Sequence, residues 1–280
     1  MEFAGRRTRP YLDSLLAIPL IPVICFLLFA IAAYWSRSLF SAEAGLWTVL
    51  LSATLSSVAG FAFSPIAGAV LFHVNPDAVL VVQILLVASI AQQTYCIWHL
   101  RSHIRALEFL PYAVGSLTTL PLGILLLLKS PASSFLPMLG VFLACYGTFA
   151  AVRPTIDLSK SNLLSGRVLA GALGGITGGL AAFPGAFVAI WCQAQGFDKE
   201  RQRSIVQPFI LINQIVAIAI LSFVRPAATI SFETIQYAAP AVLGAYFGLC
   251  IFRRLGNSEF NRVVGAALAV AWVLMVLKVL

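Results

Sequence analysis

Two short apolar segments carry the residues best suited to chemistry in this sequence. They are Gly60–Ala69 (GFAFSPIAGA) and Gly178–Phe187 (GGLAAFPGAF), and neither contains a charged residue. Glycine loosens a helix, and proline interrupts its hydrogen-bond ladder. A broken helix persists inside a membrane only where the freed backbone lines a cavity enclosed by protein. The two segments therefore predict two helix breaks that face one common site.

The chemistry expected at such breaks is anion binding. Ser64 and Pro65 suit the N-cap and first positions of a new helix, and Pro184 suits the first position of another. The first N–H groups of a helix have no intrahelical partner, and they attract anions. Because neither segment holds Lys or Arg, we expect backbone N–H groups and amides to hold the anion without a cation. The predicted binding residues at the breaks are Gly60, Phe61, Ser64, Ile66, Ala67, Thr177, Gly178, Gly179, Gly185 and Ala186.

Paired amides lie near the middle of two further apolar segments, as Gln92-Gln93 and Asn213-Gln214. An unpaired buried amide costs about 1–3 kcal/mol, so these side chains should not face lipid. One interpretation is that Gln93 and Gln214 donate N–H groups to the substrate. The other is that the amides tie the broken segments to the neighbouring helices. Residues predicted to line an access path are Gln92, Gln207 and Asn213.

The composition is that of a membrane protein. The 280 residues are 60% hydrophobic and only 10% charged, with a mean hydropathy of +0.96. Soluble domains carry about 25% charged residues. In this setting the net charge of +8 indicates basic cytoplasmic loops rather than a nucleic-acid partner. The five cysteines lie in apolar segments and are expected to pack, and we expect no cofactor and no metal site.

The order of apolar segments predicts an all-α polytopic membrane protein built from two repeats. Each repeat has a broken helical segment followed by three spans, and Gly60, Gln93 and Gly123 match Gly178, Gln214 and Gly248. The predicted units are an N-terminal tail with an extra helix (1–43), repeat 1 (44–152), a cytoplasmic linker (153–167) and repeat 2 (168–280).

The distribution of positive charge decides how the broken segments sit in the membrane. If both segments dip in and return to the same side, only Arg37, Lys129, Arg225 and Lys278 lie outside, and the other 14 of the 18 basic residues are cytoplasmic. This asymmetry follows the positive-inside rule. Each repeat then crosses three times, so the repeats are inverted, as in secondary transporters. We expect the N-terminus in the cytoplasm and the C-terminus outside the inner membrane.

The chain resembles the TauE/SafE family of sulfite and organosulfonate exporters over residues 46–280. The likeness rests on the duplicated Gly- and Pro-containing segment, the polar position in the next span, the basic loop Leu100–Arg105 and Pro121-Leu122-Gly123. The first segment has fewer glycines than is common in the family. The resemblance implies a cytoplasmic-membrane permease for sulfite, sulfoacetate or related anions. Export is favoured because an inside-negative potential expels anions, by about 2.3 kcal/mol per charge per 100 mV.

Other interpretations of the sequence stay open. The glycines, including Gly171, Gly175 and Gly179, could allow close packing of one continuous helix. A membrane enzyme such as a polyprenyl-diphosphate phosphatase would also use re-entrant hairpins, but the breaks offer it only Ser64 and Thr177. An importer of a sulfur oxyanion and a non-transporting subunit are further alternatives. The expected partners are a small anion and the lipid bilayer, with a homodimer as a candidate assembly.

The predicted topology can be checked by labelling from either side of the membrane. Single cysteines at Arg37 and Asp77, in a variant without the five native cysteines, should react with an impermeant reagent from the same side. Reaction from opposite sides would mean that the first broken segment crosses the membrane.

Overall fold

The computed structural model describes residues 42–75, 77–130, 164–225 and 231–256. Every regular element in these ranges is helical. The apolar pattern also predicts an N-terminal helix at Leu12–Tyr34 and spans at Phe135–Val152 and Val263–Leu280, and all three lie outside the described residues. In chain order the helices are α1 Ala42–Ala59, α2 Phe63–Val74, α3 Ala78–Leu100, α4 Ala106–Lys129, α5 Leu164–Ala181, α6 Gly185–Ala194, α7 Lys199–Val224, α8 Phe232–Ile235 and α9 Ala238–Phe252, with a 3₁₀ turn Arg101–His103 after α3.

Long apolar helices make this a polytopic membrane protein. Within the described ranges, four helical stretches are long and apolar enough to cross a membrane: Ala78–His103, Ala106–Lys129, Lys199–Val224 and Phe232–Phe252. Large apolar side chains such as Leu107, Phe223 and Phe232 lie on the outside of the bundle, each more than 80% exposed. An apolar exterior of this kind requires lipid around it. The predicted class, an all-α polytopic membrane protein, is confirmed.

The second broken segment is a helical hairpin. Two glycines of α5, Gly166 and Gly174, lie close to Trp191 and Pro184 respectively. Gly174 and Pro184 would be about 15 Å apart in a straight helix, at 1.5 Å per residue. The chain therefore reverses between Ala181 and Gly185, and α6 runs back along α5.

The first broken segment has the same construction. Helix α1 ends at Ala59, α2 begins at Phe63, and the two helices contact each other. Both predicted breaks are thus present. The apolar pattern predicts that the broken segments begin at Leu46 and Val168. Both are longer than this, because α1 begins at Ala42 and α5 begins at Leu164.

The register between the halves differs from the prediction. Gly60 has a φ of +89° just after α1 ends, and Ala182 has a φ of +55° just after α5 ends. Gly60 therefore corresponds to Ala182, not to Gly178. The match continues downstream, since the carboxylates of Asp77 and Asp198 each accept from two N–H groups at the starts of α3 and α7.

Glycines let helices from different halves approach backbone to backbone. Along α4 and α5, a Cβ on Gly171 would overlap the carbonyl oxygen of Tyr112, and one on Gly175 that of Ser116. Along α9 and α1, a Cβ on Gly244 or Gly248 would overlap a carbonyl oxygen of α1. The predicted equivalence of Gly123 and Gly248 agrees with this, because each glycine packs against the first arm of the opposite hairpin. Close packing and helix breakage, posed as alternatives above, both occur.

Candidate functional site

The two breaks touch each other in the interior. Ser64 Oγ, at the start of α2, donates a hydrogen bond of 2.5 Å to the carbonyl oxygen of Ala182 in the other break. A Cβ on Gly185, the first residue of α6, would lie 3.1 Å from Cβ of Phe61. The two breaks are therefore in direct contact.

The start of α2 differs from the sequence prediction. Ala62, not Ser64, is the N-cap residue, and its side chain has no capping role. Ile66 N–H donates to the carbonyl oxygen of Ala62 at 3.3 Å, so Ile66 is not one of the open donors. Ser64 fails to cap because its hydroxyl serves the break opposite. The first-turn donors of α2 are instead the N–H groups of Phe63 and Ser64, since the third position is proline.

The start of α6 agrees better with the prediction. Pro184 is the N-cap residue rather than the first helical one, and the predicted donors Gly185 and Ala186 occupy the first turn. Thr177 does not point to an open site, because its Oγ1 donates to the carbonyl oxygen of Phe183 at 2.8 Å. That bond satisfies one of the backbone groups that the break frees.

Gly178 and Gly179 lie before the second break, inside α5. A Cβ on Gly178 would lie 3.0 Å from Cβ of Pro184, and one on Gly179 would contact the backbone of α4 at Leu120. Because these two positions have no side chain, Pro184 can pack against α5, and α4 can approach α5 closely. Their predicted place in the binding surface stays a prediction. Ala67, in the next turn of α2, is fully buried.

Two of the interior amides tie helices together. Gln92 Nε2 donates to Ser56 Oγ at 3.0 Å and to Ser57 Oγ at 2.9 Å, which joins α3 to α1 one turn before the first break. Asn213 accepts from Ser116 Oγ of α4 and donates through Nδ2 to the carbonyl oxygen of Phe209 at 2.8 Å. The tying interpretation thus holds for Gln92 and Asn213.

Gln214 and Gln93 each have an amide oxygen without a hydrogen-bond partner among the described residues. Gln214 Nε2 donates to Ser89 Oγ of α3 at 2.7 Å. Within the described part of the chain, Oε1 of Gln92, Gln93 and Gln214 has no hydrogen-bond partner, and each side chain is 1% exposed. A serine hydroxyl can donate or accept, so the amide of Gln214, if turned over, keeps its contact with Ser89 and leaves its N–H group open.

Arg203 is the residue that the sequence analysis missed. The charged residues predict a cytoplasmic loop at Gly196–Arg203, but α7 begins at Lys199, and Arg203 is 1% exposed within the bundle. Its side chain covers the first break: a Cβ on Gly60 would lie 3.1 Å from Arg203 Cγ. A cation outside the two broken segments therefore lies beside the first break, while the prediction that neutral donors hold the anion stays a prediction.

Gln207, predicted to line an access path, forms hydrogen bonds with the guanidinium of Arg203. With its amide oxygen facing Arg203, Oε1 accepts from Nη2 at 2.8 Å and from Nε at 3.2 Å. The sequence pattern could have predicted that Arg203 and Gln207 lie side by side on one helix. Asp198 is a strong helix-start residue, and from there positions 203 and 207 fall on one face at the i,i+4 spacing.

The architecture defines a class: a polytopic helical membrane protein with two interrupted helical hairpins that meet inside the bundle. Comparison with protein families places the chain within that class. The model of the sulfite exporter TauE/SafE family matches residues 44–275. The chain belongs to this family of membrane transporters, as the resemblance implied. No match was found among curated proteins or among solved structures.

The left-handed backbone at the two breaks predicts opposite effects of exchanging glycine and alanine. An L-residue in this conformation is strained by roughly 1–2 kcal/mol. Ala182→Gly should raise the free energy of unfolding by about 1 kcal/mol, measured by thermal unfolding in detergent. Gly60→Ala should lower it by more, because the methyl group also presses on Arg203 Cγ.

Gly196→Ala is the matched control. Gly196 also has a positive φ, +70°, but a Cβ there meets nothing within 4 Å. Its loss of stability measures the backbone strain alone. Equal stability of the Gly60→Ala and wild-type proteins would contradict the described break.

Proposed function

We propose that the chain exports a small oxyanion, namely sulfite, sulfoacetate or a related organosulfonate, across the cytoplasmic membrane. The observation that carries the proposal is the direct contact of the two breaks, Ser64 with Ala182 and Phe61 with Gly185. Two short helices, α2 and α6, begin at that contact. Family membership supports transport of this class of anion.

The electrostatics of the breaks favour an anion. A helix N-terminus carries a partial positive charge and open N–H groups, and α2 and α6 bring two such ends together. The surroundings are buried and apolar, so these dipoles are weakly screened.

Alternating access would take place around this contact. Helices α1 to α3 and α5 to α7 repeat the same order of broken hairpin and long helix. That order supports the inverted-repeat arrangement, with the N-terminus in the cytoplasm, the C-terminus outside and the site near the membrane midplane. In this arrangement Gln93 and Gln214 supply N–H groups to the substrate from equivalent helices. Import of the same anions is the alternative direction.

The hydroxyl groups at the breaks favour transport over an enzyme. A phosphatase needs a nucleophile activated by a neighbouring base. Ser64 Oγ and Thr177 Oγ1 instead donate to the carbonyl oxygens of Ala182 and Phe183. Both hydroxyls thus serve as backbone partners rather than as nucleophiles, which supports a permease without catalytic residues.

The proposed function predicts protein-dependent anion efflux. Purified protein in liposomes loaded with labelled sulfite, sulfoacetate or phosphate should release at least one sulfur oxyanion faster than protein-free liposomes. An inside-negative potential should speed release if the substrate moves with net negative charge. Equal release from both kinds of liposome for all three anions would overturn the proposal.

The two open amides predict a loss of rate on substitution. Gln93→Leu and Gln214→Leu should each slow efflux by about 10-fold, because each removes one hydrogen bond to an anion. Gln193→Leu, at an exposed position of α6, is the matched control and should leave the rate unchanged. Wild-type rates in both buried variants would remove these amides from the substrate contact.

A further inference from the structure

A single arginine is buried beside the first break. Arg203 leaves α7 in its second turn, and its guanidinium carbon lies 3.9 Å from the centre of the Phe252 ring of α9. It is the largest of the fully buried side chains in the described ranges. Gly60 makes this approach possible, since it offers no Cβ to hold the Arg203 stem away from the break.

No carboxylate among the residues that the structure describes balances the positive charge of Arg203. The ion pairs within the described ranges join Arg105 and Arg201 to Glu108, and none includes Arg203. Its partners are neutral: Gln207 accepts from Nη2 and Nε, and the buried thiol of Cys96 lies beside it. Nη1 has no hydrogen-bond partner among the residues that the structure describes.

Nη1 of Arg203 thus carries N–H groups that no described residue accepts. A buried cation without a counter-ion is costly, and pairing it with an anion recovers much of that cost. Gln207 holds Nε and Nη2 in place, so the remaining N–H groups on Nη1 have a set direction. Hydrogen bonds from a charged donor to an oxyanion are shorter and stronger than those between neutral groups.

We propose that Arg203 Nη1 binds the oxyanion group of the transported molecule, so that Arg203 is the residue that selects for charge. This assignment rests on the proposed export function and adds a cation to a site otherwise built from neutral donors. The ligand class is a compact oxyanion: sulfite itself, or the sulfonate or carboxylate end of a small organic acid. A neutral sulfone of similar size should not bind.

Ligand-dependent thermal unfolding of the purified full-length protein, together with the efflux assay, tests the proposal. Sulfite and sulfoacetate are the probes, and dimethyl sulfone is the neutral control. Sulfite or sulfoacetate should raise the unfolding temperature of the wild-type protein. Arg203→Met should weaken the apparent affinity by about 10- to 100-fold. Arg203→Lys should bind with an intermediate affinity, because it keeps the charge but not the fork geometry.

The stability of the unliganded variant separates binding from a structural role. Removal of an uncompensated buried charge should leave the unfolding temperature of Arg203→Met no lower than that of the wild type. Arg201→Gln, two residues away and half exposed, is the charge-matched control and should retain wild-type affinity. If Arg203→Met does not fold, Arg203→Gln and Arg203→Lys provide the same comparison.

The outcomes distinguish this assignment from the function on which it rests. Wild-type protein that neither binds nor releases any of the sulfur oxyanions overturns both. Wild-type protein that responds, together with Arg203 variants that respond with equal affinity, overturns only the role of Arg203. Lower stability with unchanged affinity in Arg203→Met would show that the residue is structural.

Discussion

The structure depends on satisfying the backbone groups that two helix breaks free inside a membrane. Each such group costs several kcal/mol if it faces hydrocarbon. Here Ser64 Oγ of the first break donates a hydrogen bond to the carbonyl oxygen of Ala182 in the second. Thr177 Oγ1 donates to the carbonyl oxygen of Phe183 within the second break. The interruption of both helices is therefore stable only when the two halves are together, which makes the central contact a property of the whole bundle.

Away from the contact between the breaks, close packing at glycines joins the two halves. Helix α4 of the first half lies on α5 of the second, and α9 of the second lies on α1 of the first. The approach is close enough that α5 glycines such as Gly171 and Gly175 meet α4 carbonyl oxygens directly. Without a hydrophobic force between helices in lipid, such close contact supplies much of the association energy. Each hairpin is thus clamped from outside by a helix of the opposite half.

Several buried amides of the described helices join neighbouring helices. Gln92 anchors α3 to α1, Asn213 anchors α7 to α4, and Gln214 joins α7 to α3. Helix α7 passes both breaks, with Arg203 against Gly60 and Ile210 against Gly185. A single helix therefore contacts the two breaks and carries the buried cation and two of the amides. This arrangement fits a membrane transporter of the sulfite exporter family.

The sequence by itself determined the membrane class, the long spans and the existence of two breaks, because apolar length, Gly-Pro composition and amide pairs act locally. It also indicated a helix start at Asp198, but a run of charged residues there was interpreted as a loop. Only the tertiary structure decided that Gly60 corresponds to Ala182, that Ser64 serves the opposite break rather than its own helix, and that Arg203 reaches the interior. Each of these depends on a partner more than a hundred residues away in the chain. Short-range preferences cannot reveal which distant carbonyl oxygen or glycine will be available, since that is set by how the two halves pack.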